Sequence, residues 1–414
     1  MLVITNIGTL MTPEGTAAHG GSTQGQLRIL HNAWVSIEDD IIVGIGTGTP
    51  EIPENATVLD AQGKLVTPGL VDAHTHLIFG GWRQHEMALK LQGVPYLDIL
   101  AQGGGILSTV NATHASSEQL LAQKASAALD EMLSFGTTTC EAKSGYGLSV
   151  EEELKQLRAI RLLNEGHPVD LVSTFMGAHA VPTAYRENRE EYIRMICEEM
   201  IPQVAQEKLA QFCDVFCEKG VFSADESRKI LETGKKYGLI PKIHADEIEP
   251  IGGSVLAGEI GAISAEHLIV CPAEGIASMA KGGTVACLLP CTSLYLGATF
   301  APARDMVAAG VPVAMATDFN PGSCPCLNMQ LVMNLGCLRY QLTPEEVLTA
   351  VTLNGAAAIG VADQVGSVEV GKLGDLVIWD AEDLNYVCYR MGSNLAKTVI
   401  KKGKIYTKTK ISEQ

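Results

Sequence analysis

Apolar runs typical of β-strands alternate with helical patterns through the middle of this chain, from about residue 66 to residue 320. Strands that alternate with helices pair in parallel, because each helix returns the chain to the same end of the sheet. Eight such runs fall within about 250 residues, which is the number and spacing of a (β/α)8 TIM barrel. The predicted strands are residues 69–76, 137–142, 169–177, 213–217, 239–244, 262–267, 284–289 and 311–317.

The two ends of the chain have a different pattern, since both consist of short β-like runs joined by tight turns. Short β segments at opposite ends of a chain rarely stand alone, and we expect these to pair into one small module. The predicted organisation is a β-sandwich domain built from residues 1–65 plus 365–414 and a catalytic barrel domain of residues 66–364.

Capping boxes predict where several helices begin. In this motif a serine or threonine is followed three residues later by glutamate or glutamine, and each side chain bonds to the backbone of the other. Four segments fit the pattern, and they begin at Ser116, Ser149, Ser223 and Thr343.

The composition excludes several classes of partner. The net charge is −17 over 414 residues, which argues against nucleic acid. No apolar stretch approaches the roughly 18 residues that a membrane span needs, and the first residues do not have the pattern of an export signal. The eleven cysteines have no CxxC spacing and are typical of reduced thiols. We therefore expect a cytoplasmic protein that binds neither nucleic acid nor membranes.

Histidines gather where the predicted strands end. His74 and His76 close the first strand, and residues i and i+2 of a strand face the same side. His179, His244 and His267 follow or close the third, fifth and sixth strands. The carboxyl ends of barrel strands meet at one rim, so five of the ten histidines are expected together there. This convergence predicts a metal site.

The ligand set predicts which ion is bound. His74, His76 and His244, with Asp318 at the end of the eighth strand, offer three imidazoles and one carboxylate. This set suits one zinc or iron ion per subunit with a position left for water, whereas calcium and magnesium prefer more oxygen ligands. An ion of this kind lowers the pKa of water to about 7 and generates a nucleophile at neutral pH. The sequence therefore predicts a hydrolase.

These motifs resemble those of the amidohydrolase superfamily, and the resemblance covers nearly the whole chain. Closer motifs are similar to the imidazolonepropionase family within it: HTHLIFGGWR at 74–83, EAKSGYGL at 141–148, HADE at 244–247 and TDFNPG at 317–322. The resemblance implies hydrolysis of the cyclic amide C–N bond of 4-imidazolone-5-propanoate to N-formimidoyl-L-glutamate. This reaction is the third step of L-histidine degradation. It also implies a single metal ion, and a homodimer is common in the superfamily.

The resemblance further implies a set of substrate contacts. A substrate with a carboxylate needs a cation in the pocket of an acidic protein, and an arginine binds a carboxylate through two hydrogen bonds. A tyrosine ring packs on a planar heterocycle. The implied substrate-binding residues are Arg83, Tyr146, His179, Glu247, Asn320, Gly322 and Ser323.

Amide hydrolysis passes through a tetrahedral oxyanion, so it requires an electrophile, a base for the water and an acid for the leaving nitrogen. We assign the oxyanion to the ion together with His179 or His267. Asp318 and His267 are the candidates for orienting and deprotonating the water. Glu247 is the candidate for binding or protonating a ring nitrogen.

Three alternatives stay open at this point. The first is another mononuclear amidohydrolase, such as an aminoimidazole or guanine deaminase, although Arg83 argues against a neutral base as substrate. The second is a barrel that binds metal without catalysis. The third is a two-metal site bridged by a carboxylated Lys143, whereas the resemblance favours one metal with Lys143 ordering its loop.

Overall fold

Eight parallel strands form the barrel in the computed structural model, which describes residues 1–94 and 104–407. With the strands numbered in chain order, the barrel comprises β6 to β13, each paired in parallel with the next. The predicted barrel is confirmed, and each strand begins no more than two residues from its predicted start. The bounds are β6 Leu70–Asp72, β7 Thr137–Lys143, β8 Asp170–Ala178, β9 Phe212–Cys217, β10 Ile240–Ala245, β11 Ser264–His267, β12 Val285–Leu288 and β13 Val313–Met315.

The first and last barrel strands are joined just beyond their ends. The backbone N–H and the hydroxyl of Thr317 donate to the Asp72 carboxylate at 3.0 and 2.6 Å. The N–H of Asp318 donates to the backbone carbonyl of His74 at 3.0 Å. The last of these bonds joins two candidate metal ligands directly, which fixes the position of Asp318 relative to His74.

Helices connect the strands and cover the outside of the barrel. A π-helical turn, Ile196–Met200, joins two of them. The described α-helices are Met87–Leu91, Ile106–His114, Glu118–Ser134, Val150–Gly166, Arg189–Met195, Ile201–Glu207, Ala224–Lys236, Gly253–Ile260, Ala273–Gly282, Pro290–Leu296, Ala303–Ala308, Met329–Tyr340, Pro344–Ala350, Leu353–Ala358 and Leu384–Tyr389.

Two of the four predicted capping boxes are complete. Those that begin at Ser223 and Thr343 have both reciprocal hydrogen bonds and are confirmed. Ser149 precedes its helix without a side-chain cap bond. The prediction at Ser116 is wrong, because Ser117 caps that helix. The Ser116 hydroxyl bonds instead to a carbonyl of the preceding helix, which offers it an acceptor one turn back.

A second, mixed sheet joins the two ends of the chain, in the order β16-β15-β14-β5-β1-β2-β3, with β4 paired to β1. β5 makes the junction, since it runs parallel to β1 and antiparallel to β14. The predicted pairing of the chain ends is confirmed, and the domain limits at 65/66 and 364/365 stay a prediction. The bounds are β1 Leu2–Thr12, β2 Arg28–Glu38, β3 Ile41–Thr47, β4 Thr57–Asp60, β5 Leu65–Pro68, β14 Leu376–Trp379, β15 Ala396–Lys401 and β16 Lys404–Thr407.

Apolar packing gives each part a core. One large cluster of buried side chains lies mainly between the barrel strands and the helices, and a separate cluster stabilises the terminal sheet. All eleven cysteines are free of disulfide bonds. Within residues 1–94 and 104–407, no helix is both long enough and apolar enough to cross a membrane.

Candidate active site

Three histidines converge at the mouth of the barrel. The ligand nitrogens of His74, His76 and His244 all lie within 4.8 Å of one another, and the three rings are buried. Asp318 Oδ1 is 3.4 Å from His74 Nε2 and 3.7 Å from His76 Nε2. The structure therefore brings together all four residues that the sequence predicts as metal ligands.

The donor atoms at this cluster fit a metal ion. Within the described part of the chain, His74 Nε2 and Asp318 Oδ1 are buried and have no hydrogen-bond partner. Leaving such an atom unpaired costs about 1–3 kcal/mol. Burial lowers the pKa of both His74 and His76 well below the ordinary value, so their rings are neutral and offer lone pairs. Three imidazoles and one carboxylate are a donor set for zinc or iron.

Two of the three histidines are held from behind by carboxylates. His74 Nδ1 lies 3.0 Å from Glu266 Oε2, and His244 Nδ1 lies 3.1 Å from Asp214 Oδ1. A carboxylate accepts, so each Nδ1 donates its hydrogen and each Nε2 is left with its lone pair toward the cluster. Sequence reasoning gave neither carboxylate a role, although each is a charged residue within a predicted strand.

The backbone turns sharply where the site residues leave their strands. Asp246, His267 and Asp318 have positive φ angles of 51°, 68° and 56°. Side chains other than glycine rarely adopt this region, and each such residue costs on the order of 1–3 kcal/mol. Three of these conformations at one rim are typical of a functional site.

Glu247 and His267 form a second pair beside the ligands. Glu247 Oε2 lies 3.7 Å from His267 Nε2, and the His267 ring centroid is 5.2 Å from that of His244. Burial raises the pKa of Glu247 to about 7 and lowers the pKa of His267 to about 4. At neutral pH the imidazole is therefore uncharged, and Glu247 is poised either to donate or to accept a proton.

His179 and Tyr146 extend the cluster on the side of His76. The His179 ring stacks on His76 with centroids 4.8 Å apart, and Tyr146 lies edge-on to His179 at 5.3 Å. His179 Nδ1 donates to the carbonyl of Gly145 at 2.9 Å. Burial lowers the pKa of His179 to about 4, so the neutral ring has its acceptor lone pair on Nε2. A hydrogen bond from Nε2 to the oxyanion, as one form of the role predicted for His179, therefore requires a second proton on this ring.

A helix outside the barrel holds the loop that presents Tyr146. The Glu153 carboxylate accepts three backbone N–H groups of residues 145–148, at 3.1, 2.8 and 2.7 Å. Gln156 accepts the N–H of Tyr146 at 3.0 Å. Sequence reasoning missed both residues, because the chain at this point looks like an ordinary acidic start of a helix.

Arg83 is held in place by a buried glutamate and a glycine. Glu86 accepts from Arg83 Nε at 3.1 Å and from Arg83 Nη2 at 3.0 Å. A Cβ atom at Gly322 would lie 2.1 Å from Arg83 Nη1, so the guanidinium packs directly on this glycine. Glu86 thus occupies one edge of the guanidinium. The edge formed by Nη1 and Nη2 is the one suited to a ligand carboxylate.

The loop after Asp318 is ordered by Asn320. Its Oδ1 accepts the N–H groups of Gly322 and Ser323 at 2.8 and 2.7 Å, and its amide donates to the carbonyl of Asp318 at 2.7 Å. Asn320 therefore links the metal ligand to the loop that contacts Arg83. The predicted substrate contacts of Asn320, Gly322 and Ser323 stay predictions.

Lys143 is a buried cation between two carboxylates. Its Nζ lies 2.8 Å from both Glu141 and Asp214. An ammonium paired in this way is a charge partner and does not resemble a carboxylated lysine that bridges two ions. The single ion at the histidine cluster stays a prediction.

Comparison with known proteins gives a consistent family. The model of the amidohydrolase family matches residues 65–406. A protein named imidazolonepropionase from Alkaliphilus metalliredigens (strain QYMF) is 51% identical over 410 residues, covering 98% of this chain and 97% of that protein. One of the same name from Alkaliphilus oremlandii (strain OhILAs) is 51% identical over 411 residues, covering 97% of each.

Solved structures share the fold at lower identity. The atrazine chlorohydrolase of Arthrobacter aurescens TC1, in complex with zinc, superposes with a TM-score of 0.72 at 18% identity and covers 98% of this chain and 95% of its own. An adenosine deaminase from Xanthomonas campestris with bound zinc gives a TM-score of 0.69 at 20% identity, with 98% and 92% covered. At these identities the likeness extends to the architecture alone.

Proposed function

The chain belongs to the amidohydrolase family, and we propose that it hydrolyses the cyclic amide C–N bond of 4-imidazolone-5-propanoate to N-formimidoyl-L-glutamate. This is the third step of L-histidine degradation. The observation that carries the proposal is 51% identity, over nearly the full length of both chains, to proteins named imidazolonepropionase. The site agrees with this proposal, because it contains a cluster of candidate metal ligands and an arginine, Arg83, that Glu86 holds in place.

His74, His76, His244 and Asp318 are proposed to hold one ion per subunit. The bound ion supplies a Lewis acid that polarises a carbonyl oxygen and lowers the pKa of water. Both zinc and iron suit the donors, and two structural neighbours were solved with zinc bound.

Asp318 and His267 are proposed to orient and deprotonate the attacking water. Asp318 Oδ2 accepts from the Thr292 hydroxyl at 2.6 Å, which holds this carboxylate in one orientation. Its Oδ1 then points toward the histidine cluster. His267 lies beside the same position with a neutral ring that is able to take up a proton.

Glu247 is proposed to transfer a proton to the ring nitrogen that leaves. Its pKa of about 7 means that the protonated form is well populated at neutral pH, so the nitrogen departs as a neutral group. Its neighbour His267 lies 3.7 Å away, so the base and the acid are adjacent.

The substrate's two recognition features are proposed to meet opposite sides of the site. Arg83, with Gly322 and Ser323, binds the propionate. Tyr146 and His179 pack on the planar ring. This division supports a small substrate that carries a carboxylate over the neutral base of an aminoimidazole or guanine deaminase.

Product analysis tests the proposal. Freshly prepared imidazolonepropionate is mixed with the metal-loaded protein, its absorbance is followed, and N-formimidoyl-L-glutamate and ammonia are both assayed. We expect loss of absorbance with formation of the ring-opened product and no ammonia. Stoichiometric ammonia would favour the deaminase alternative, and no turnover by fully loaded protein would favour a non-catalytic metal-binding barrel.

We also propose a cytoplasmic homodimer with the two domains 1–65 plus 365–414 and 66–364. Light scattering coupled to size-exclusion chromatography measures the mass in solution. A monomer mass of 44.0 kDa would contradict the dimer.

A further inference from the structure

Five charged side chains lie in the interior of the barrel beneath the metal ligands. All of them are fully buried, which is rare for charged residues unless they are paired. They comprise three carboxylates and two ammonium groups, namely Glu141, Lys143, Asp214, Lys242 and Glu266. Only Lys143 was considered for a metal role from the sequence, as the carboxylated lysine of a two-metal site.

The five groups form one chain of alternating charge. Lys242 Nζ lies 3.3 Å from Glu266 and 3.1 Å from Glu141. Lys143 Nζ lies 2.8 Å from Glu141 and 2.8 Å from Asp214. Each lysine therefore joins an outer carboxylate to the central Glu141. We call these five residues the buried charge chain.

Both ends of the buried charge chain reach a metal ligand. Glu266 accepts from His74 and Asp214 accepts from His244, as described above. The third imidazole has no such support, since His76 Nδ1 has no hydrogen-bond partner within residues 1–94 and 104–407. Two of the three histidines are thus tied to one another through five residues that are not among the four proposed ligands.

We propose that Lys143 and Lys242 are positioning residues for metal binding. They fix Asp214 and Glu266, which in turn fix the ring orientation and the Nδ1–H tautomer of His244 and His74. If either ammonium is lost, Glu141 keeps the other lysine, but Asp214 or Glu266 loses the lysine that pairs with it. That buried carboxylate is then left without a lysine partner while it holds a histidine, which displaces it. The proposal rests on the metal site and is independent of which substrate the enzyme opens.

Metal affinity is the readout that tests this role. Lys143→Met and Lys242→Met keep most of the side-chain volume and remove the charge. The dissociation constant for Zn²⁺ is measured by competition with a chromophoric chelator. We expect it to rise about 10- to 100-fold in each variant, the usual effect of losing support behind a metal ligand. The visible spectrum of the Co²⁺-loaded protein should change as well, because the ligand geometry changes.

Lys401 offers a matched control. It is also buried between two carboxylates, with Nζ at 2.7 Å from Asp170 and 2.5 Å from Asp375, but it belongs to the terminal sheet. Lys401→Met should lower the unfolding temperature of the metal-free protein as the other two do. Its Zn²⁺ dissociation constant should equal that of the unmodified protein.

A paired substitution gives the decisive comparison. In Lys143→Met/Asp214→Asn an amide oxygen still accepts from His244 while the unpaired charge is removed. We expect the double variant to bind Zn²⁺ more tightly than the sum of the two single effects predicts. The proposal is overturned if both lysine variants keep the original dissociation constant, or if Lys401→Met weakens binding equally. If the Lys143→Met protein does not fold, Lys143→Gln replaces it, and we again expect the Zn²⁺ dissociation constant to rise.

Discussion

The metal side and the substrate side of the site are built differently. The metal ligands stand at or just beyond the ends of barrel strands, and buried carboxylates inside the barrel hold two of them. The substrate candidates stand on loops, and side chains from outside the barrel interior, such as Glu86 and Glu153, hold them. Metal affinity and substrate affinity thus have separate supports. Substitutions should change one without changing the other.

Removing the ion should have the largest effect. A Lewis acid of this kind contributes several kcal/mol to the transition state, so we expect chelation to lower kcat by at least about a hundredfold. Zn²⁺ or Fe²⁺ should restore it, and elemental analysis should find one ion per chain. Unchanged turnover after verified removal of the ion would contradict the entire assignment of the metal side.

Glu247→Gln should abolish most catalysis without loss of metal. General acid catalysis contributes about 10²- to 10⁴-fold, and we expect kcat to fall by an amount in that range. Because burial raises the pKa of Glu247 to about 7 and the protonated form is the acid, kcat/KM of the unmodified enzyme should decline as pH rises through this value. The Glu247→Gln variant should not show this decline of kcat/KM with rising pH.

The control for Glu247 lies two residues further along the chain. Glu249 is half exposed and pairs with Lys219 at 2.7 Å, so Glu249→Gln should leave kcat and the pH profile unchanged. A full-activity Glu247→Gln enzyme would remove Glu247 from the mechanism.

Gly322→Ala should weaken substrate binding alone. The added methyl group overlaps Arg83 Nη1, which Glu86 prevents from moving freely. Loss of one charged hydrogen bond is worth about 1.5–3 kcal/mol, so KM should rise at least about tenfold. The Zn²⁺ dissociation constant should not change.

Gly166→Ala is the control, since a Cβ there meets open space. Equal KM values for the two variants would argue against Arg83 as the carboxylate-binding residue.

Ser223→Ala should have the smallest effect and should spare both sides of the site. It removes a complete capping box, which lowers the free energy of unfolding by about 1 kcal/mol. Ser149→Ala makes the same chemical change at a helix start without a cap bond, so it should lower the free energy of unfolding by less. Thermal unfolding measures the difference, and an equal loss of stability would show that the cap bond of Ser223 contributes little.

The strands were predictable because their signal is local. An apolar run between helical patterns is a strand in nearly any context, and all eight began within two residues of the expected start. Helix starts were less certain. Ser116 and Ser117 have the same chemistry, and the acceptor that the preceding helix offers to Ser116 decided which of them caps.

The candidate metal ligands were predictable because the barrel topology determines which residues become neighbours. Once the chain is a parallel barrel, its strand ends meet at one rim, and the polar residues there must be neighbours. The residues behind the ligands gave no such signal. Glu266 is 192 residues from His74 in the chain, and Glu86 resembles any surface glutamate until it is seen buried against Arg83.

By itself, the sequence determined the barrel, the pairing of the chain ends and the grouping of the four predicted ligands at one rim, since periodicity and strand-end position suffice for these. Only the tertiary structure decided the tautomers of His74 and His244, the edge of Arg83 that Glu86 occupies, and the five-residue buried charge chain. These depend on which partners come within about 3 Å, where the energy of a buried charge changes steeply with distance. The spacing of residues along a chain does not contain that information.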